Sequence, residues 1–242
     1  MPGSWNSTSS IGGCEPDVSE AAANVEVVRN ARARRMRLSV DPSSGRVRLT
    51  LPVRASLKQA LAWAEQHRGW IDSQVARLPE ARPFAPGAVI PLEGEDAVID
   101  WSAERSRTVS LADGRLICGG PIDGLPRRIE RFLKRRALAT LSEETAEFAA
   151  RAGVTVTKVS VADPKGRWGS CASTGEIRYS WRLILAPPSV RRATVAHEVA
   201  HRIEMNHSRA FYTVLKSLLE ADPAPSRAWL RRHGAGLHWV GR

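Results

Sequence analysis

Cysteine is scarce in this chain, and the three present, Cys14, Cys118 and Cys171, are odd in number and far apart. That count argues against a disulfide scaffold. Long apolar runs are missing as well, so no segment reads as a membrane span and no membrane partner is expected. The first residues, Met1 to Pro16, are polar and Gly/Ser-rich and lack the basic and apolar regions of a signal peptide. The expected location is therefore cytoplasmic. There are no internal repeats, no heptads and no separate zinc-finger module. Acidic residues are also in short supply, 25 against 36 lysines and arginines, leaving a net charge of +11. The excess sits in runs at Arg29 to Arg37, Arg127 to Arg136, Arg191-Arg192 and Arg227 to Arg232. Such a surface attracts polyanions, so nucleic acid is a possible partner, although solvated helix faces in an arginine-rich protein give the same composition.

What is present is concentrated in one stretch, Thr194-Val-Ala-His-Glu-Val-Ala-His-Arg-Ile-Glu-Met-Asn-His207. Positions four apart share a helix face, so His197 and His201 can direct two imidazoles at one ion. Catalytic zinc sites use three protein ligands and keep one position open. Glu198 follows the first ligand directly, where its carboxylate can take a proton from a zinc-activated water. His207, six residues beyond His201, is the third ligand expected from spacing, with one zinc per chain. Glu204, Glu220 and Asp222 are the alternatives. Small apolar residues, Val195, Ala196, Val199 and Ala200, fill the intervening positions, as a buried helix requires. The HExxHxxGxxH pattern is not complete: its glycine position holds Glu204, and no methionine follows Met205, so the Met-turn of the metzincins is absent.

Further motifs accompany this array: Arg167-Trp-Gly-Ser-Cys171, Trp181-Arg-Leu-Ile-Leu-Ala-Pro-Pro188, Phe211, and Arg227-x-Trp-Leu-x-x-His233-Gly234. Together with His197 to His207 they resemble the YgjP-like metallopeptidase family, a zincin group related to the SprT-like proteases. The resemblance is specific from about Val156 to Gly234 and looser upstream to Arg29. It implies an α+β zincin-like metallopeptidase domain with an N-terminal β-rich region, acting as a zinc endopeptidase on a protein or peptide substrate. It also implies that the strand before the metal-bearing helix, Ile177 to Trp181, is the edge strand that pairs with substrate. Arg167, Trp168 and Tyr179 are the candidate substrate-binding residues, and Arg167 or His233 could stabilise an oxyanion. Cys171 is a candidate fourth ligand, though a small packed residue is the simpler reading; a core role is the simpler reading of Trp168 as well as Trp181, and His67 and His238 read as packing or surface positions. A protein of another class, associated with nucleic acid and holding a mainly structural zinc, is the competing interpretation; an intact Glu198 argues against it, because a structural site needs no general base.

Along the chain, residues 1–22 read as a disordered lead, 23–122 as the β-rich region with one helix, and 123–242 as the catalytic domain. Alternating patterns predict strands at Val25–Val28, Met36–Val40 and Val47–Leu51, the last two forming a hairpin. Ser56 caps a predicted helix running to Leu78. Asp113-Gly114 marks a second hairpin turn. A long helix is expected over Pro126–Ala150, a strand over Thr155–Val161, and the metal-bearing helix from Pro187-Pro188 to about Glu204. Ser208 caps the next helix, which Pro223 and Pro225 end, and a last one covers Arg227 to Arg232.

Overall fold

The computed structural model describes residues 25–242; the predicted disordered lead lies outside them. The described chain is α+β, with six helices and three small sheets. It divides into two compact units, one reaching Arg77 and the other made of residues 78–242 with Pro42–Ser44.

In the first unit β1 (Val25–Arg29), β2 (Arg37–Val40) and β3 (Val47–Leu51) form a sheet of order β1-β3-β2, with the predicted β2–β3 hairpin antiparallel and β1 parallel to β3. Leu49 and Leu51 of β3 pack with Ala60 and Ala64 of α1 (Leu57–Gln66) in a small core. The Ser56 hydroxyl caps α1 by accepting from the Gln59 amide. The single helix expected after Ser56 is two: α1 stops at His67, whose backbone leaves helical geometry (φ −101°, ψ 18°) while its Nδ1 lies 2.8 Å from the Trp63 carbonyl, and α2 covers Arg68–Val75. Leu57, Leu61, Trp70 and Val75, whose spacing fits a buried stripe, are exposed.

The second unit begins with β4 (Val89–Leu92), β5 (Glu95–Ser102), β6 (Ser110–Ala112) and β7 (Arg115–Gly119), in the order β4-β5-β7-β6. The β6–β7 turn is the predicted Asp113-Gly114 pair, both with positive φ (48° and 68°), as a primed hairpin turn demands. Residues 78–122 therefore belong with the rest of the second unit, not with the first sheet, because Ile90, Ile99 and Leu116 share one core with Ile129, Leu133 and Leu141 of α3. Helix α3 (Leu125–Ala152) has Pro126 in its first turn, where a missing N–H costs nothing, and ends at Gly153 in the left-handed region (φ 64°).

Next come β8 (Lys158–Ala162), β9 (Gly169–Cys171) and β10 (Glu176–Ser180), in the order β8-β10-β9. A 3₁₀ segment, Trp181–Leu185, then leads into α4 (Pro188–Ala200), which is followed by α5 (Arg209–Leu219) and α6 (Ala224–Leu237). Pro225 lies in the first turn of α6 and opens that helix instead of closing the one before. Trp181 is fully buried, as its core reading requires, with the Arg182 guanidinium 4.5 Å over its ring. Among the described residues no helix is long and apolar enough to cross a membrane.

Helix α4 packs on α3 through charge as well as apolar contact. Arg191 donates from Nε and Nη2 to the Glu144 carboxylate at 2.9–3.2 Å, with both side chains buried. Arg192 grips Glu147 with two bonds of 2.7 and 2.6 Å at the surface. The Arg191-Arg192 run is thus committed to α3 and contributes little free positive surface. Removing one partner from a buried pair strands the other charge. Glu144→Ala should therefore lower stability by about 3–5 kcal/mol in urea unfolding. Replacing both partners together, Glu144→Leu with Arg191→Met, should recover most of that loss; a Glu144→Ala effect near zero would show that the pair does not anchor α4.

Candidate metal centre

Helix α4 carries Val195, Ala196, Val199 and Ala200 into the core and leaves His197 half-buried, with Glu198 and His201 nearly covered. His201 is the last residue held by the helix, which ends before the expected Glu204. The chain then turns through Asn206, whose side chain accepts from the Ser208 amide, and Ser208 caps α5 by accepting from the Phe211 amide. This turn returns His207 to the face of α4. The His207 Nε2 lies 3.1 Å from the His197 Nε2, and one ligand atom from each of His197, His201 and His207 falls within 4.8 Å of the others.

Phe211 supports the group from below. Its ring centroid is 4.9, 4.6 and 4.9 Å from those of His197, His201 and His207, and the side chain is fully buried. The Nδ1 of His201 lies 3.0 Å from the Glu204 carbonyl; donation there fixes the tautomer and leaves Nε2 with its lone pair free. Burial, with smaller contributions from His201, His207 and Arg227, drives the His197 imidazole down to about 4, and burial also lowers His201. Neutral imidazoles are the form a metal needs. Two nitrogens bound to one tetrahedral ion at 2.0–2.1 Å stand about 3.3 Å apart, close to the observed His197–His207 separation. The donor set fits zinc.

Among the described residues no other His, Cys, Asp or Glu joins the group. Glu220 is a left-handed cap of α5 (φ 54°) beside Arg151, and Asp222 accepts from the Ala224 amide at the start of α6. Glu204 offers its backbone carbonyl to His201. Cys171 is half-buried on β9, with a thiol that burial holds above the usual range.

Glu198 points at β9. A Cβ on Gly169 would come within 2.4 Å of Glu198 Oε1, so only glycine lets the strand approach the carboxylate this closely. Burial pushes the Glu198 carboxyl up to about 7 against the pull of the Arg167 charge; a bound cation acts in the same direction as Arg167. Beside Glu198 and His197 opens a cleft of about 260 Å³, lined further by Arg167, Trp168, Leu215, Leu230 and Arg227. Gly234 of α6 makes room for Trp168, since a Cβ there would meet the indole at 2.7 Å. His238, buried behind Trp168, stacks on it with centroids 5.2 Å apart.

Three expectations need correction. Tyr179 does not reach the cleft: it is fully buried, its hydroxyl 3.0 Å from that of Thr145. Strand β10 is not an edge. It pairs in parallel with β8 and antiparallel with β9, so both its hydrogen-bonding sides are taken and the edge beside Glu198 is β9. His233 stacks on Trp229 and lines a different cavity from Arg167, which places it away from any oxyanion in the cleft. Arg227, which reads from sequence as one more member of a basic run, is in the cleft wall and donates to the Tyr212 hydroxyl at 3.3 Å.

A family model described as YgjP-like, metallopeptidase domain, matches residues 34–233. No curated protein and no solved structure gives a significant match. Purified without chelator, the protein should carry about one zinc per chain. His207→Ala should empty the site, measured by elemental analysis, while Glu220→Ala and Asp222→Ala keep it full; the reverse pattern would move the third ligand to α5's C-terminal end.

Proposed function

The chain belongs to the YgjP-like metallopeptidase family, and we propose that it is a zinc-dependent endopeptidase with Glu198 as its general base. The observation that carries this reading is the pairing of an open three-histidine group with a buried carboxylate on the next residue of the same helix. A structural zinc site closes with a fourth protein ligand, and no fourth side chain joins this group among the described residues.

His197, His201 and His207 would hold the ion. When bound, zinc supplies the Lewis acidity that polarises a carbonyl and acidifies water. The protein's own groups do the rest. Glu198 accepts a proton from the attacking water at a carboxylate oxygen and delivers it to the departing amine nitrogen as the C–N bond breaks. Arg167, which lines the cleft with His197, is a cation available to an oxyanion. An extended peptide can pair with the free side of β9, and backbone pairing of this kind demands little of the substrate's sequence. The apolar wall of Leu215, Leu230 and Trp168 takes one side chain beside the bond that is cut.

Glu198→Gln preserves shape and leaves the three histidines untouched, so zinc content and melting temperature should stay at wild-type values. Cleavage of a peptide library should fall by ~10²–10⁴-fold; undiminished cleavage would remove Glu198 from the chemistry. Gly169→Ala probes the same carboxylate from the opposite side. It should cost on the order of 10²-fold in cleavage by displacing Glu198, with zinc retained, and full activity in this variant would mean that the close approach of β9 is incidental.

A further inference from the structure

The positive charge of the chain is unevenly neutralised. Arg191, Arg192, Arg136 and Arg182 are held by Glu144, Glu147, Glu93 and Asp163, and Lys134 by Glu130. One set of arginines in the N-terminal half of α3 is different. Arg127, Arg131 and Arg135 are exposed there, Arg107 faces them from the segment before β6, and among the described residues none of the four has an ion pair or hydrogen bond. Arg131 and Arg135 form a crest between two grooves. One, of about 400 Å³, is completed by Arg107, Arg128, Thr108 and Val109, with no carboxylate in its lining. The other, of about 370 Å³, takes Arg127 and the Lys134–Glu130 pair and runs past Leu138 and Val161. Arg128 reaches the Pro121 carbonyl through Nη2 at 2.7 Å, yet its buried Nε has no partner.

Four guanidinium groups around one groove repel each other, and an anion laid among them relieves that repulsion. From Arg128 to Arg135 the helix rises about 10 Å, so a ligand touching every arginine of this stretch must carry several anionic groups in a row. The guanidinium fork matches phosphate oxygens in geometry. No tryptophan, tyrosine or phenylalanine lines either groove, which leaves nothing to stack on bases or to anchor in a lipid interface. We propose that this arginine crest on α3 binds the phosphodiester backbone of nucleic acid, through phosphates and without regard to sequence. The site stands independently of the peptidase reading.

The test is binding of the full chain to a labelled single-stranded oligonucleotide and to its duplex, titrated with salt between about 50 and 200 mM. Contact with about four phosphates gives a log–log slope near −3 for the single strand or −3.6 for the duplex. Arg131→Gln with Arg135→Gln should weaken binding at least ~10-fold at low salt and reduce the slope's magnitude by roughly 1.5. Arg131→Lys with Arg135→Lys should keep most of the slope, since the charges remain. Both pairs are exposed, so an unchanged melting temperature shows that folding is not the cause. Arg34→Gln with Arg35→Gln, in the first unit, removes the same charge elsewhere. An equal loss in that variant, no loss in the α3 variant, or crest-dependent binding to phosphatidylserine vesicles as strong as to the oligonucleotide would each overturn the proposal.

Discussion

The contact between α3 and α4 through Glu144 and Arg191 bears on every other part of the site. Helix α4 presents two imidazoles and a carboxylate along a segment otherwise buried in the core, and polar groups of that kind keep a fixed direction only if the helix cannot rotate or slide. Apolar packing by Val195, Ala196, Val199 and Ala200 fills the volume but is tolerant of small shifts. A buried guanidinium with three short bonds to one carboxylate is not. The desolvation it suffers makes it a poor source of net stability compared with an apolar pair; what it supplies is the position of α4 against α3.

Around that fixed helix, two close approaches set the chemistry. Phe211 lies under all three imidazoles and orders His207, the one histidine of the group that does not belong to α4. Gly169 brings β9 against the Glu198 carboxylate, so this carboxylate is enclosed by the strand whose outer side is unpaired. Burial favours neutral imidazole at His197 and raises the carboxyl pKa of Glu198. Groups poised this way in a cleft are characteristic of functional sites.

Features of this arrangement that depend on neighbours in sequence are legible in the amino-acid order alone. His197, Glu198 and His201 declare themselves by helical spacing, Ser208 by its capping position, and Asp113-Gly114 by the backbone angles such a turn needs. Non-local pairing leaves no such mark. Nothing in Ile177 to Ser180 distinguishes a central strand from an edge, because that depends on Lys158 to Ala162 arriving in parallel from the far side. Arg191 reads as surface charge until its partner, forty-seven positions earlier, is known. Tyr179 looks available for substrate because it neighbours the motif in sequence; alternation along β10 turns it toward Thr145 instead. The break at His67 is hidden for a different reason: the apolar spacing of Leu57 to Leu78 fits a single helix, and it is backbone geometry at one residue that divides it.

The claim at the centre is an open three-histidine zinc site, and X-ray absorption at the zinc edge of the loaded protein tests it most directly. Three nitrogen scatterers at about 2.0–2.1 Å and one further light atom, with no sulfur, is the expected shell. A sulfur at about 2.3 Å would bring Cys171 into the coordination sphere, and a shell of four protein ligands would close the position on which hydrolysis depends.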